Sequence, residues 1–284
     1  MEEVNKRNTE IKNRFLSLSN NVGFVREPVF YSQFKKIRKG SIKKSKVDNK
    51  SFPVFSVRYK DSFIELSEDR FVAKGYKGWS SVLLSHGSSS GSWYFEITIG
   101  NPVELEPFLG YPMSVTKTCK PSIRVGWSCR YSRYDVPVGT NSFGFSLSSS
   151  DCSCFNNGKK RCLPNYKPLN TGDIVGCFIT LNNTSYDLPD PLTRPELHPF
   201  VEMGLLCNPD KLPPIIIDKG SKVQFSVNGK VLETNYTDIP AGFYHPALSL
   251  YMGATAVINI GPEFNYTPNV HFLPICKMQR PCIV

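Results

Sequence analysis

Large apolar side chains recur at every second position from Trp93 to Ile99, with Tyr94, Glu96 and Thr98 between them. That period of two, entered through the Gly/Ser stretch His86–Gly91, predicts a β-strand. Trp93, Phe95, Ile97 and Ile99 share one face, and Tyr94, Glu96 and Thr98 the other. Strands of the same kind are predicted at Ile123–Ser128 and Gly172–Ile179, and at Val223–Val227, which the turn Asn228–Gly229–Lys230 closes. Two more follow at Phe243–Tyr251 and Ala256–Pro262. Shorter pieces precede them at Val54–Arg58, Ser62–Leu66, Arg70–Ala73 and Ser80–Leu84, separated by polar or Gly-containing turns. No helical period interrupts this series, so the expected fold is all-β.

The pattern also sets boundaries. Residues 1–50 carry no sustained apolar period and read as a basic, largely disordered arm. The β body is expected over 51–268, with residues 187–214 as one irregular insert holding seven prolines between Pro189 and Pro214. Residues 269–284 read as a short tail.

Charge sharpens the division. The chain of 284 residues has a net charge of +10, of which residues 1–50 contribute +8 from 13 Lys/Arg against 5 Asp/Glu. The cluster Lys35, Lys36, Arg38, Lys39, Lys43, Lys44 and Lys46 leaves three readings open. It is a solvated tail, a nuclear-import signal, or an arm that touches nucleic acid. No apolar run approaches the roughly 20 residues of a membrane span, and the opening residues lack a secretory layout. A soluble intracellular protein is expected, its nine cysteines reduced.

Catalytic chemistry finds little support. Gly87–Ser88–Ser89–Ser90–Gly91 matches G-x-S-x-G, but a nucleophile elbow needs a helix after the serine and a strongly β sequence follows. His86, His198, His245 and His271 stand in no metal spacing. No phosphate loop or cofactor motif is present, so neither enzyme activity nor a cofactor or metal is expected. Binding chemistry is better represented. Arg124 is a lone cation in an apolar strand, either alternating onto solvent or held at a groove mouth to receive a carboxylate or phosphate. Trp79 and the loop Val136–Thr140 are candidate groove walls, although Trp79 would serve equally as core.

The joined motifs carry a resemblance. Asp69–Val82 with Ser85–His86–Gly87, Trp93–Ile97, Arg124–Ser128, Pro137–Gly139 and Ile258–Phe264 resemble the SPRY domain of the "absent, small, or homeotic discs" two family. Members of that family are non-catalytic subunits of COMPASS/MLL complexes, which methylate histone H3 lysine-4. The resemblance covers about Phe52 to Pro268 and implies a bent two-sheet antiparallel β-sandwich of the SPRY/B30.2 kind. It further implies a groove that binds an acidic segment of a β-propeller subunit and thereby supports a SET-domain methyltransferase in the nucleus.

Carried over by position, the groove aromatic falls at Trp79, replacing the family's tyrosine. The central arginine falls at Arg124 and the loop proline at Pro137, with Gly139 beside it. Two positions depart from the family: its loop tyrosine falls at Thr140, and a second groove arginine falls at Ser148. The family's N-terminal winged-helix or zinc region has no counterpart in residues 1–50. After Pro268 no apolar period matches the helix that docks a small helical dimer, so the resemblance does not extend to that partner. The basic arm matches in kind the family's DNA-contacting linker, which leaves nucleosomal DNA as a further partner. Two other readings of a SPRY body stay open: substrate recognition for a ubiquitin ligase, and nucleic-acid binding led by the arm.

Overall fold

The computed structural model describes residues 52–105, 119–130, 132–163, 166–182, 215–233, 235–268 and 271–278. All of them belong to one compact unit, Val47–Val284. The basic arm, with Lys35 to Lys46, and the insert 187–214 lie outside the described residues.

Among the described residues, sixteen strands form two sheets. The first carries β1 (Phe55–Lys60), β4 (Trp79–Leu84), β14 (His245–Tyr251), β6 (Ser122–Ser128), β7 (Gly144–Ser148), β8 (Cys154–Asn156) and β9 (Lys159–Arg161), in that order. The second runs β12 (Lys230–Val231), β11 (Lys222–Val227), β10 (Ile174–Leu181), β5 (Gly91–Ile99), β15 (Thr255–Asn259), β3 (Val72–Gly75) and β2 (Ile64–Leu66). Off this path, β13 (Tyr236–Thr237) pairs with β11 and β16 (Leu273–Pro274) with β5. Every pairing is antiparallel except β16 on β5. Among the described residues the one helical element is a 3₁₀ turn, Ile275–Lys277. The all-β fold expected from the alternation, and the two-sheet antiparallel sandwich that the resemblance implies, are the architecture of the described residues.

Alternation builds the core. Ile123, Val125 and Trp127 of β6 face Phe95 and Ile97 of β5 across the sandwich, all of them fully buried. The Phe95 and Trp127 rings meet edge to face at 5.1 Å, the preferred geometry for aromatic quadrupoles. Burying side chains of this size contributes about 1.5–3 kcal/mol each.

Two features go beyond the pattern. On β5 both faces are buried at the centre, because Tyr94 and Glu96 are covered from outside by the segment 264–266. Residues 271–278, read from the sequence as tail, lie on the sandwich: Leu273 pairs with Trp93, and Ile275 and Met278 enter the core. A two-residue strand has no period to display, which is why the alternation did not reveal it.

Candidate functional site

On the strands of the first sheet, alternate residues point away from the core, and register aligns them in rows. One row reads Ser81 (β4), Ser249 (β14), Arg124 (β6) and Ser148 (β7). A second, one residue pair along, joins Gly126, Ser146, Phe155 (β8) and Lys160 (β9). On the other side of Arg124, Trp79 pairs with Tyr251 and their rings stand 5.1 Å apart. Arg124, Trp79 and Ser148 therefore share one outward surface.

The serines in these rows hold the loop Val136–Thr140. Ser81 Oγ donates to the Val136 carbonyl at 2.6 Å, Val138 N donates to Ser249 Oγ at 2.8 Å, and Ser146 Oγ donates to the Val138 carbonyl at 2.7 Å. Gly158 N, in the β8–β9 turn, donates to the Gly139 carbonyl at 2.9 Å. Val138 packs with Tyr59, Leu83 and Ala247. Gly139 has φ +93°, and a Cβ there would lie 2.7 Å from the Phe155 carbonyl oxygen and 2.8 Å from Ser146 Oγ. Only glycine fits without strain.

Arg124 occupies the centre. Its guanidinium carbon lies 3.6 Å from the Phe155 ring centroid and 5.2 Å from that of Trp79, a cation held between two π faces. Its Nε is buried with no hydrogen-bond partner. Burial pulls the arginine pKa down, and the nearby Asp151 carboxylate offsets part of that pull. Asp151 Oδ2 pairs with Lys160 Nζ at 2.5 Å, while its Oδ1 accepts from Ser153 N at 3.1 Å. A planar cation with a free buried donor, aromatic walls and half-exposed flanks is suited to a ligand carboxylate.

The other candidates take different parts. Pro137 offers its carbonyl to Thr140 Oγ1 at 2.5 Å, so exposed Thr140 braces the loop. Ser148 is buried and its hydroxyl meets Ser150 Oγ at 2.9 Å. Phe155, Tyr251, Ser249, Asp151 and Lys160 belong to the site but were not singled out by sequence reasoning. The signal for Phe155 was available: the turn Asn156–Asn157–Gly158 marks a hairpin, in which Cys154 and Phe155 must point to opposite faces.

Other motifs prove structural. The Gly87–Gly91 run leads directly into β5, a strand, so it forms no nucleophile elbow. Burial pushes the Cys152 thiol up to about 11 and Cys154 up to about 12, which makes both inert core residues. His245 Nδ1 donates to the Leu84 carbonyl at 2.9 Å, and the ring is fully buried.

No family model matches the chain. The Set1/Ash2 histone methyltransferase complex subunit ash-2 of Caenorhabditis elegans is 28% identical over 233 residues, spanning 76% of this chain and 38% of the relative. The Set1/Ash2 histone methyltransferase complex subunit ASH2 of Drosophila melanogaster is 29% identical over 215 residues, 72% of this chain and 34% of the relative. The chain is similar in sequence to the Ash2 subunits. The Set1 complex component ash2 of Schizosaccharomyces pombe extends the relationship, at 25% identity over 241 residues, 70% of this chain and 34% of the relative. The chain thus spans little more than a third of the length of these curated relatives. Among solved structures, the SPRY domain of human HERC1 aligns at 14% identity with a TM-score of 0.44, covering 72% of this chain and 96% of that one.

Proposed function

We propose that the chain is a non-catalytic scaffold subunit of a nuclear histone H3 lysine-4 methyltransferase complex of the COMPASS kind. Its outward groove on the first sheet receives an acidic segment of a β-propeller subunit, and the pair supports a SET-domain methyltransferase. The relationship to Ash2 subunits supports membership of such a complex. The observation that carries the groove is Arg124: a guanidinium clamped by Phe155 and Trp79, with a buried Nε that no protein atom satisfies. Burying a cation carries a desolvation cost, and a ligand carboxylate beside the half-buried guanidinium offsets it. Pro137 and Gly139 shape the loop bordering that position. The arm from Lys35 to Lys46 serves nuclear import or contact with nucleosomal DNA.

The test is affinity capture of the tagged full chain from its own cells, paired with Arg124→Ala. Recovery of a SET-domain protein and a β-propeller protein, reduced in the variant, is the expected result. Recovery of ubiquitin-ligase components, or of nucleic-acid-binding proteins with Arg124 immaterial, would overturn the reading.

A further inference from the structure

We propose that Lys160, on the edge strand β9, is a second anchor for the acidic ligand, and that Asp151 is an internal competitor for the same cations. The inference rests on the groove reading above and extends it across the sheet. Within its own row Arg124 has only uncharged neighbours, Ser249 and Ser148. Its guanidinium lies instead over Phe155, toward β8, and the cross-strand partner of Phe155 is Lys160. Lys160 therefore continues the outward surface on which Arg124 sits. All three residues of β9, Lys159, Lys160 and Arg161, are exposed, and among the described residues β9 pairs only with β8. That strand is all basic, which favours an acidic extended segment.

Asp151 shows where such a carboxylate is accommodated. One of its oxygens meets Lys160 Nζ at 2.5 Å, and its charge is felt at Arg124. A carboxylate already occupies the field of both cations. Its other oxygen is tied to Ser153 N, so the aspartate is fixed in place and does not fill the Arg124 site itself. Two cations against one internal anion leave a positive balance that a single ligand carboxylate does not exhaust.

Strand geometry fixes the ligand spacing. The guanidinium lies over Phe155 on β8, one strand step, about 5 Å, from β9, which an extended peptide crosses in about two residues. Residues two apart in an extended chain point to the same side, so a peptide with acidic residues at i and i+2 reaches Arg124 and Lys160 together.

The experiment uses fluorescence anisotropy on the full chain with an otherwise uncharged extended peptide bearing two glutamates at that spacing. Versions with either glutamate changed to glutamine serve as partners. Lys160→Ala is expected to weaken the double-glutamate peptide by about two- to fivefold, the range of an exposed ion pair. It should have no effect on the peptide whose Lys160-facing glutamate is already glutamine. Asp151→Asn is expected to tighten binding by a similar factor, and Lys160→Ala must still weaken binding in the Asp151→Asn background. If Lys160→Ala is silent in that background, the lysine only neutralises Asp151 and the second anchor is overturned. If duplex DNA binding, and not peptide binding, is what Lys160→Ala removes, the edge belongs to a nucleic-acid surface and the proposal is likewise overturned. Should Arg124→Ala leave the peptide affinity unchanged, the groove reading itself fails. Unfolding curves of each variant check that changes at half-buried Asp151 and exposed Lys160 leave the fold intact.

Discussion

Glu96 and Arg124 are both charged residues on strands whose inward faces build the core, and the fold treats them in opposite ways. Glu96 is sealed on the outside of the second sheet. Its Oε1 accepts from Tyr266 N at 2.8 Å and Tyr94 Oη at 3.1 Å. Its Oε2 accepts from Asn265 N, Asn265 Nδ2 and Asn259 Nδ2 at 3.0, 2.9 and 3.2 Å. Arg124, outside the first sheet, has aromatic faces around it and an unpartnered Nε. The carboxylate is committed to folding and pins residues 265 and 266; the guanidinium keeps a donor that no protein atom satisfies. Satisfaction of hydrogen-bond capacity, rather than burial or charge, separates a structural ion from a binding one.

The contrast breaks first at Glu96. Glu96→Ala strips the acceptors from several buried donors and is expected to cost about 3–5 kcal/mol in urea unfolding. A near-neutral result would mean that the cover over Tyr94 does not depend on the carboxylate.

His245 sharpens the rule by showing where an unpartnered atom is not a site. Its Nε2 also lacks a partner, yet the ring is fully enclosed, so no ligand can reach it. Because a carbonyl only accepts, the proton of the neutral ring sits on Nδ1, and charging the ring would place an ion in the dry core. Burial depresses its pKa to about 3, with the nearby Arg130 adding to the shift. The unfolded chain therefore binds a proton below about pH 6.5 that the folded chain refuses until about pH 3. Stability from this group falls as pH drops through that window, by about 1.4 kcal/mol per pH unit. Comparing wild type with His245→Phe by unfolding at stepped pH should show a shallower acid slope in the variant; equal slopes would refute the assignment.

Gly139 tests the groove wall. Gly139→Ala forces an alanine to φ +93° against Phe155 and Ser146, and is expected to cost about 1–2 kcal/mol while loosening the loop beside Arg124. Acidic-peptide affinity should fall with it, read by the same anisotropy titration. A stable variant with full affinity would remove the loop from the site.

Which of these features the sequence disclosed follows from range. Strands β5, β6, β10, β11 and β14 announce themselves by alternation, because their inward residues are large and apolar. Strands β7 to β9 do not: Gly144–Ser148 has serines on its outward side, and Lys159–Arg161 is an all-basic edge. Of these serines, Ser146 lies under the loop Val136–Thr140 and its hydroxyl holds that loop. Arg124 was visible as a lone cation in an apolar strand. Phe155 beside it was legible from the hairpin turn Asn156–Asn157–Gly158, whereas the partners of Glu96 lie as far as 170 residues away. Nothing local encodes a contact of that separation.

Arg124→Ala gives the smallest expected change in stability. The lost π contacts and the relieved burial of an unsatisfied cation oppose one another and should leave the fold within about 1 kcal/mol of wild type. That variant also supplies the most direct test: its affinity for a glutamate-bearing peptide and its unfolding free energy, measured on the same preparation. A loss of roughly 10- to 150-fold in affinity, the worth of a charge-assisted hydrogen bond, with stability unchanged is the predicted result. Intact affinity accompanied by a loss of several kcal/mol would show that Arg124, like Glu96, serves the fold alone.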